Sequence, residues 1–240
     1  DTLTFSAAFS EYNRRQGAIT EFCVLHPLLE LPQNNCLPVT LKRFTRKHCV
    51  YLDLSEPYHK LWKSIDERQR KAIAVARRKG LRIRKMNPND SNLRHFQEMY
   101  LNTMQRVNAN SSWHFPDNYF TNCRDCLGEN KVSLFAAELG GEAVSYFFLM
   151  HEFESCYYHF AAGDPAYNAY NPSSLLMFDT LLWAKAQGFK YYFLGGGRTA
   201  AQDDSLFRFK SSFSEKTARL LSYQRIFNTR LYDDLVATRF

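Results

Sequence analysis

No apolar run in the sequence approaches the length of a membrane-spanning helix. The longest, around Tyr146–Met150 and Tyr191–Leu194, have strand length, which excludes a helical span. No basic segment followed by an apolar core opens the chain, so no export signal is visible, and a cytoplasmic protein with reduced thiols is expected. G-x-G-x-x-G, G-x-x-x-x-G-K, His-Glu-x-x-His, a nucleophile elbow and a paired-carboxylate signature are all missing, so none of the sites these words announce is expected. Cysteine is sparse and scattered, six in 240 residues. Cys123-Arg-Asp-Cys126 has zinc or redox spacing, but no second Cys or His pair follows, so no metal site is expected. The chain begins at Asp1 and not Met, which reads as a processed chain or a fragment. Acidic side chains are the minority, 24 against 31 basic, for a net charge of +7. That excess favours an anionic partner or serves solubility.

What is present is globular: 45% hydrophobic and 23% charged residues. Residues Thr2–Arg15 read as a helix, and Ala18–Val24 and His48–Leu54 as strands, with Pro27, Pro32 and Pro38 between them. Tyr58–Lys79 reads as one amphipathic helix. Leu81–Met86 alternates as a half-buried strand, and after the turn Asn87–Asp90 the apolar residues from Leu93 to Val107 recur at helical spacing. A short helix from Pro116 to Leu127 precedes three strands: Val132–Glu138, Glu142–His151 and Ser155–Ala161. Leu139-Gly140-Gly141 supplies the first hairpin turn. Asn171-Pro-Ser-Ser caps a helix over Leu175–Gln187, closed by Gly188. Phe189–Leu194 is then a strand, Gln202–Phe213 a helix, Thr217–Gln224 a strand and Phe227–Thr238 a helix. The alternation predicts a mixed α/β (α+β) sheet.

Four features carry chemistry. On the Tyr58–Lys79 helix, Lys63, Arg70, Lys71, Arg77 and Arg78 share a sector about 120° wide, flanked by Arg68 and Lys79. Such a row either grips phosphates or is a solvated face. Gly195-Gly196-Gly197-Arg198 lies between a strand and a helix, as an anion site at a helix start or a plain tight turn. Lys210 projects from the middle of an aromatic stripe formed by Leu206, Phe207, Phe209 and Phe213. It either snorkels past the rings or presents a cation in a partly dry cleft. His159, in Tyr157-Tyr158-His159-Phe160, is a structural strand histidine or a general base.

The element order from residue 81 resembles the GNAT acyltransferase fold. Specific words resemble its Fem-type branch, the FemAB-like aminoacyl transferases of peptidoglycan cross-bridges and their relatives. They are Tyr100-x-x-Thr103-x-x-Arg106, Tyr119-Phe120, Gly195-Gly196-Gly197 and Asp204-Ser205-Leu206-x-x-Phe209-Lys210-x-x-Phe213. The resemblance implies two GNAT-like domains in tandem. Residues 1–54 would be the tail of a first, 55–80 a connecting helix, 81–224 a complete second, and 225–240 a terminal helix. It also implies that Arg106 contacts substrate phosphates and that Lys210 stabilises the oxyanion at the transferring carbonyl. Tyr119, Tyr158, Gly195, Gly196, Gly197, Arg198, Asp204 and Phe209 are then expected to bind substrate, and His159 or His26 to take the proton. Two stretches depart from the family patterns. His26-Pro27 stands where cross-bridge enzymes carry an acidic residue before proline, and Ala162-Gly163-Asp164-Pro165 stands where acetyltransferases carry the acetyl-CoA loop.

The expected function is transfer of an activated acyl or aminoacyl group to an amine or hydroxyl of an anionic cell-envelope or polysaccharide precursor. No cofactor is held permanently; the co-substrate is acyl-CoA or aminoacyl-tRNA. The acceptor bears phosphate, on a small molecule or a glycan, and tRNA is a candidate partner. The alternative is a non-catalytic GNAT-like module that holds RNA or a phosphorylated glycan.

Overall fold

The computed structural model describes residues 2–28, 42–201 and 203–238. Pro32, Cys36, Pro38 and Gln202, which figure in the sequence reading, lie outside them. In chain order the elements are α1 (Thr2–Arg15), β1 (Thr20–Val24), β2 (Lys42–Asp53), α2 (Tyr58–Ser64), α3 (Glu67–Arg78), β3 (Arg82–Met86), α4 (Asp90–Arg106) and α5 (Tyr119–Leu127). Then come β4 (Val132–Leu139), β5 (Glu142–Glu152), β6 (Ser155–Gly163), α6 (Pro172–Ala186), β7 (Tyr191–Gly195), α7 (Ser205–Ser211), β8 (Thr217–Ile226) and α8 (Thr229–Ala237).

Two compact units form. The larger comprises Val50–Gly195 and Ser205–Lys216; the smaller comprises Asp1–Cys49, Gly196–Asp204 and Thr217–Phe240. Residues 55–80 fall inside the larger unit, and β8 belongs to the smaller.

In the larger unit the strands are ordered β2-β7-β6-β5-β4-β3. β3 to β6 form an antiparallel meander, β6 and β7 run parallel, and β7 pairs antiparallel with the end of β2. The predicted hairpin closes through Gly140 and Gly141, whose φ of 62° and 92° suit glycine and few others. Alternation along the strands feeds two cores. Phe135, Ala137, Phe147 and Leu149 pack with Leu175, Leu176, Phe178 and Leu181 of α6, and with Ile73 and Ala76 of α3. Leu134, Ala136, Tyr146, Phe148, Phe160 and Ala162 point the other way, onto Leu93, Phe96 and Tyr100 of α4 and Phe120 of α5. Each face therefore removes aromatic and aliphatic area from water, the main favourable contribution to folding.

Three expectations are corrected. The single helix expected over 58–79 is broken, because Ile65 and Asp66 adopt extended backbone and Asp66 starts α3 as its N-cap. Asn171 does not cap α6 through its side chain; it sits in the left-handed region at φ 57°, and Pro172 occupies the first helical turn. The predicted Gln202–Phe213 helix shortens to Ser205–Ser211. In the smaller unit β1 pairs antiparallel with β8. The buried Arg225 there donates to Ser10 Oγ (2.6 Å) and the Ser6 carbonyl (3.3 Å), with Glu21 at 3.6 Å. Among the described residues no helix is long and apolar enough to cross a membrane.

Candidate active site

The central feature of the larger unit is a parting of strands. β6 and β7 pair only over Ser155–Tyr157 and Tyr191–Phe193, while β6 continues to Gly163. Opposite β5, Phe148 pairs with Phe160 and Leu149 with Tyr158, so His159 is an extra residue, a β-bulge. A bulge bends its strand and re-aims the side chain, and here it falls where the two strands separate.

Lys210 reaches that place from α7. It is only 6% exposed, with Nζ 5.3 Å from the centre of the Tyr158 ring. A Cβ added at Gly195, the last residue of β7, would lie 3.6 Å from the same Nζ. Gly195 itself has φ 75°, which costs a side-chain-bearing residue strain. Lys210, Tyr158 and Gly195 thus converge at the head of the opening. The ammonium lies against a ring face, a favourable arrangement where water is scarce. Burial pushes the Tyr158 hydroxyl well above the ordinary tyrosine range. Phe209, the neighbour of Lys210, stacks edge-on against Phe213 (5.3 Å) and packs on the α6-side core.

His159 is exposed at the bulge, its ring edge-on to Phe160 at 4.2 Å. The surrounding protein disfavours its cation and lowers its pKa below the usual histidine value. At the far end of β6, Thr103 and Arg106 both engage Gly163. The Gly163 amide donates to Thr103 Oγ1 (3.3 Å) and its carbonyl accepts from the exposed Arg106 guanidinium (3.3 Å). Tyr100, from the same word, is buried among Phe96, Phe115, Phe120 and Phe160. Tyr119 stacks face to face on Phe115 at 3.9 Å.

The remaining expected site residues fall in the smaller unit. The turn at Gly196-Gly197 is filled by the chain itself. Lys47 Nζ donates to the Gly197 carbonyl (2.8 Å), and Asp204 accepts from the Thr199 amide (3.1 Å). A Cβ at Gly197 would lie 2.5 Å from Asp204 Oδ1. The anion at this turn is therefore a side-chain carboxylate of the protein. Arg198 is exposed. His26 is partly buried, with Nδ1 accepting from the Leu28 amide (3.3 Å), and desolvation lowers its pKa.

The basic row of the broken helix is mostly engaged. Arg70 donates to the carbonyls of Trp62 (3.4 Å), Lys63 (3.3 Å) and Ile65, so it closes the end of α2. Lys71 pairs with Glu67 (2.6 Å), Arg77 with Asp179 (2.9 Å), and Lys79 donates to the Ala169 carbonyl (2.9 Å). Among the described residues all the cysteines are free thiols, and no group of three or more side chains is placed to hold a metal.

Sequence reasoning missed the bulge at His159 and the exposed Trp113, which stands edge-on to Phe115 at 6.3 Å. A tryptophan directly after the polar stretch Asn108–Ser112 is the available signal; a bulge leaves none in composition.

The family described as acetyltransferase (GNAT) domain matches residues 63–211. No curated protein matches the chain in sequence. Among solved structures, FemX superposes with a TM-score of 0.66 at 16% identity, over 93% of this chain and 69% of that one. The C-terminal domain of a protein assigned as a lysylphosphatidylglycerol synthetase from Agrobacterium fabrum gives 0.63 at 15%, over 96% and 76%. A conserved protein of unknown function from Bacteroides thetaiotaomicron gives 0.65 at 10%, over 93% and 75%. At these identities the likeness is one of fold.

Proposed function

The chain belongs to the acetyltransferase (GNAT) domain family, and from that premise we propose that it moves an activated acyl group to an amine or hydroxyl of an anionic cell-envelope or polysaccharide precursor. The observation that carries this reading is the buried Lys210 ammonium against Tyr158, at the head of the opening between β6 and β7. A carbonyl lodged there would gain negative charge on oxygen as the nucleophile adds. A fixed cation in a dry site stabilises that charge with little reorganisation.

The step is an addition and an elimination. The acceptor's lone pair forms the new C–N or C–O bond, and the carbonyl electrons move to oxygen beside Lys210. Collapse of the tetrahedral intermediate breaks the bond to the leaving group, a thiolate if the donor is acyl-CoA or, if it is aminoacyl-tRNA, a ribose alkoxide that takes a proton as it leaves. His159, whose cation its surroundings disfavour, accepts the proton lost by the nucleophile. Arg106, exposed at the end of β6, meets the acceptor's phosphate. Binding in this geometry also supplies the proximity that a bimolecular transfer lacks.

Replacing Lys210 by Met keeps the volume and removes the charge. Transfer should fall about 10²- to 10³-fold while far-UV circular dichroism is unchanged, with acyl-CoA and aminoacyl-tRNA each tried as donor. Activity that survives the change removes Lys210 from the mechanism. A native chain that transfers from neither donor supports the rival reading, a module that holds RNA or phosphorylated glycan. That rival leans on the basic row, most of which is already bound within the chain.

A further inference from the structure

We propose that the aromatic shelf led by Trp113 stacks against the sugar ring of the acceptor, and that the acceptor is therefore a phosphorylated amino sugar and not a phosphorylated lipid or peptide. This rests on the acyl-transfer reading and names the substrate class of the same site.

The rings touch in series, from the exposed Trp113 inward to the buried Phe160. Trp113, 49% exposed on a short 3₁₀ turn, meets Phe115 at 6.3 Å. Phe115 stacks on Tyr119 at 3.9 Å and meets Phe160 edge-on at 5.4 Å. Phe160 in turn carries the bulged His159 at 4.2 Å. The row thus joins an exposed indole to the residue assigned the proton. Beneath it the Tyr100 hydroxyl is buried with no hydrogen-bond partner among the described residues. The shelf has its own rigid support: Gln97 Nε2 donates to the Phe115 carbonyl (3.2 Å).

Charge selects the occupant. Arg106 engages Gly163, three residues beyond Phe160 on the same strand, and its guanidinium is exposed. An exposed indole seven residues beyond an exposed planar cation in the chain suits a pyranose with an attached phosphate. The ring's C–H faces lie on the indole, and the phosphate takes the guanidinium. An acyl chain gains nothing from aromatic faces that it would not gain from leucine, and an ammonium alone would be repelled by Arg106.

The probe is glucosamine 1-phosphate, which carries ring, amine and phosphate together. The protein with ¹⁵N-labelled tryptophan presents three indole resonances, from Trp62, Trp113 and Trp183. Titration without any acyl donor should move the Trp113 signal saturably and leave the other two in place. Trp113→Ala should weaken binding by calorimetry about tenfold, as the loss of one aromatic stacking contact predicts. A Trp113 signal that stays still overturns the proposal. So does Trp113→Ala binding as tightly as the parent, or inorganic phosphate shifting Trp113 as far as the sugar phosphate does. Acyl transfer to the same compound is measured in parallel. Product formed without a Trp113 shift removes the shelf and keeps the acyl-transfer reading. A Trp113 shift with no product from either donor removes that reading and keeps the shelf.

Discussion

At the residue scale, the glycine-rich turn shows how closely a backbone is held by its neighbours. A Cβ at Gly196 would lie 2.9 Å from the His48 carbonyl oxygen and 2.8 Å from Lys47 Cδ. The lysine tail can swing aside, but a backbone carbonyl within β2 cannot move without distorting the strand. Gly196→Ala should therefore cost about 1–3 kcal/mol, the usual penalty of overpacking, read as a lower midpoint in thermal or urea unfolding. An unchanged midpoint would show that the turn is more pliable than its geometry. Gly195 and Gly196 are neighbours with different constraints: the first needs its positive φ, the second its empty space. The sequence made the three-glycine run visible. It gave no sign that Asp204 supplies the carboxylate at that turn, since the two are seven residues apart and meet only after folding.

At the element scale, the break between α2 and α3 hid behind good periodicity. Leu61, Ile65, Ile73 and Ala76 all reach the core, so the apolar stripe reads straight through the break. The local cue was Asp66-Glu67-Arg68-Gln69, an N-cap residue with Gln three positions on. In the fold the Gln69 side chain instead accepts from Ser174 of α6 (2.8 Å). Arg70 holds the junction by covering three carbonyls at the end of α2. Arg70→Met should destabilise the larger unit by about 1–2 kcal/mol, the worth of hydrogen bonds from a charged donor less what water restores. Hydrogen exchange should rise first in α2. Uniform exchange would place the effect elsewhere. The meander was legible because both its faces bury alternating residues and its turn glycines are explicit. By contrast, the early parting of β6 from β7 depends on where pairing stops, which alternation does not encode.

At the scale of the whole molecule, three histidines link stability to acidity. His26 in the smaller unit and His151 and His159 in the larger all have lowered pKa values. Desolvation is the chief cause in each, joined at His151 by Lys85 and Lys131. Unfolded, each binds a proton near the ordinary value of about 6.5. Below that pH the unfolded chain takes up protons that the folded one resists. Stability is thus full above about 6.5 and is lost as pH falls through the lowered folded values. Asp53, held low by Ser55 and Lys216 against the opposing cost of burial, adds a further loss at still lower pH. Thermal midpoints should fall between pH 7 and pH 5, and His151→Asn should flatten part of that fall; a flat profile in the parent would contradict the linkage. The parting of β6 and β7 has one more consequence. Paired strands stand about 4.8 Å apart, so the opening is a wedge that narrows toward Tyr157 and Phe193, the last bonded pair. Depth in a wedge measures girth. On the proposed acyl-transfer reading, a slender acyl group would travel up to the Lys210 ammonium while a branched or ring-bearing one would halt nearer the mouth, so the sheet would gauge what is transferred.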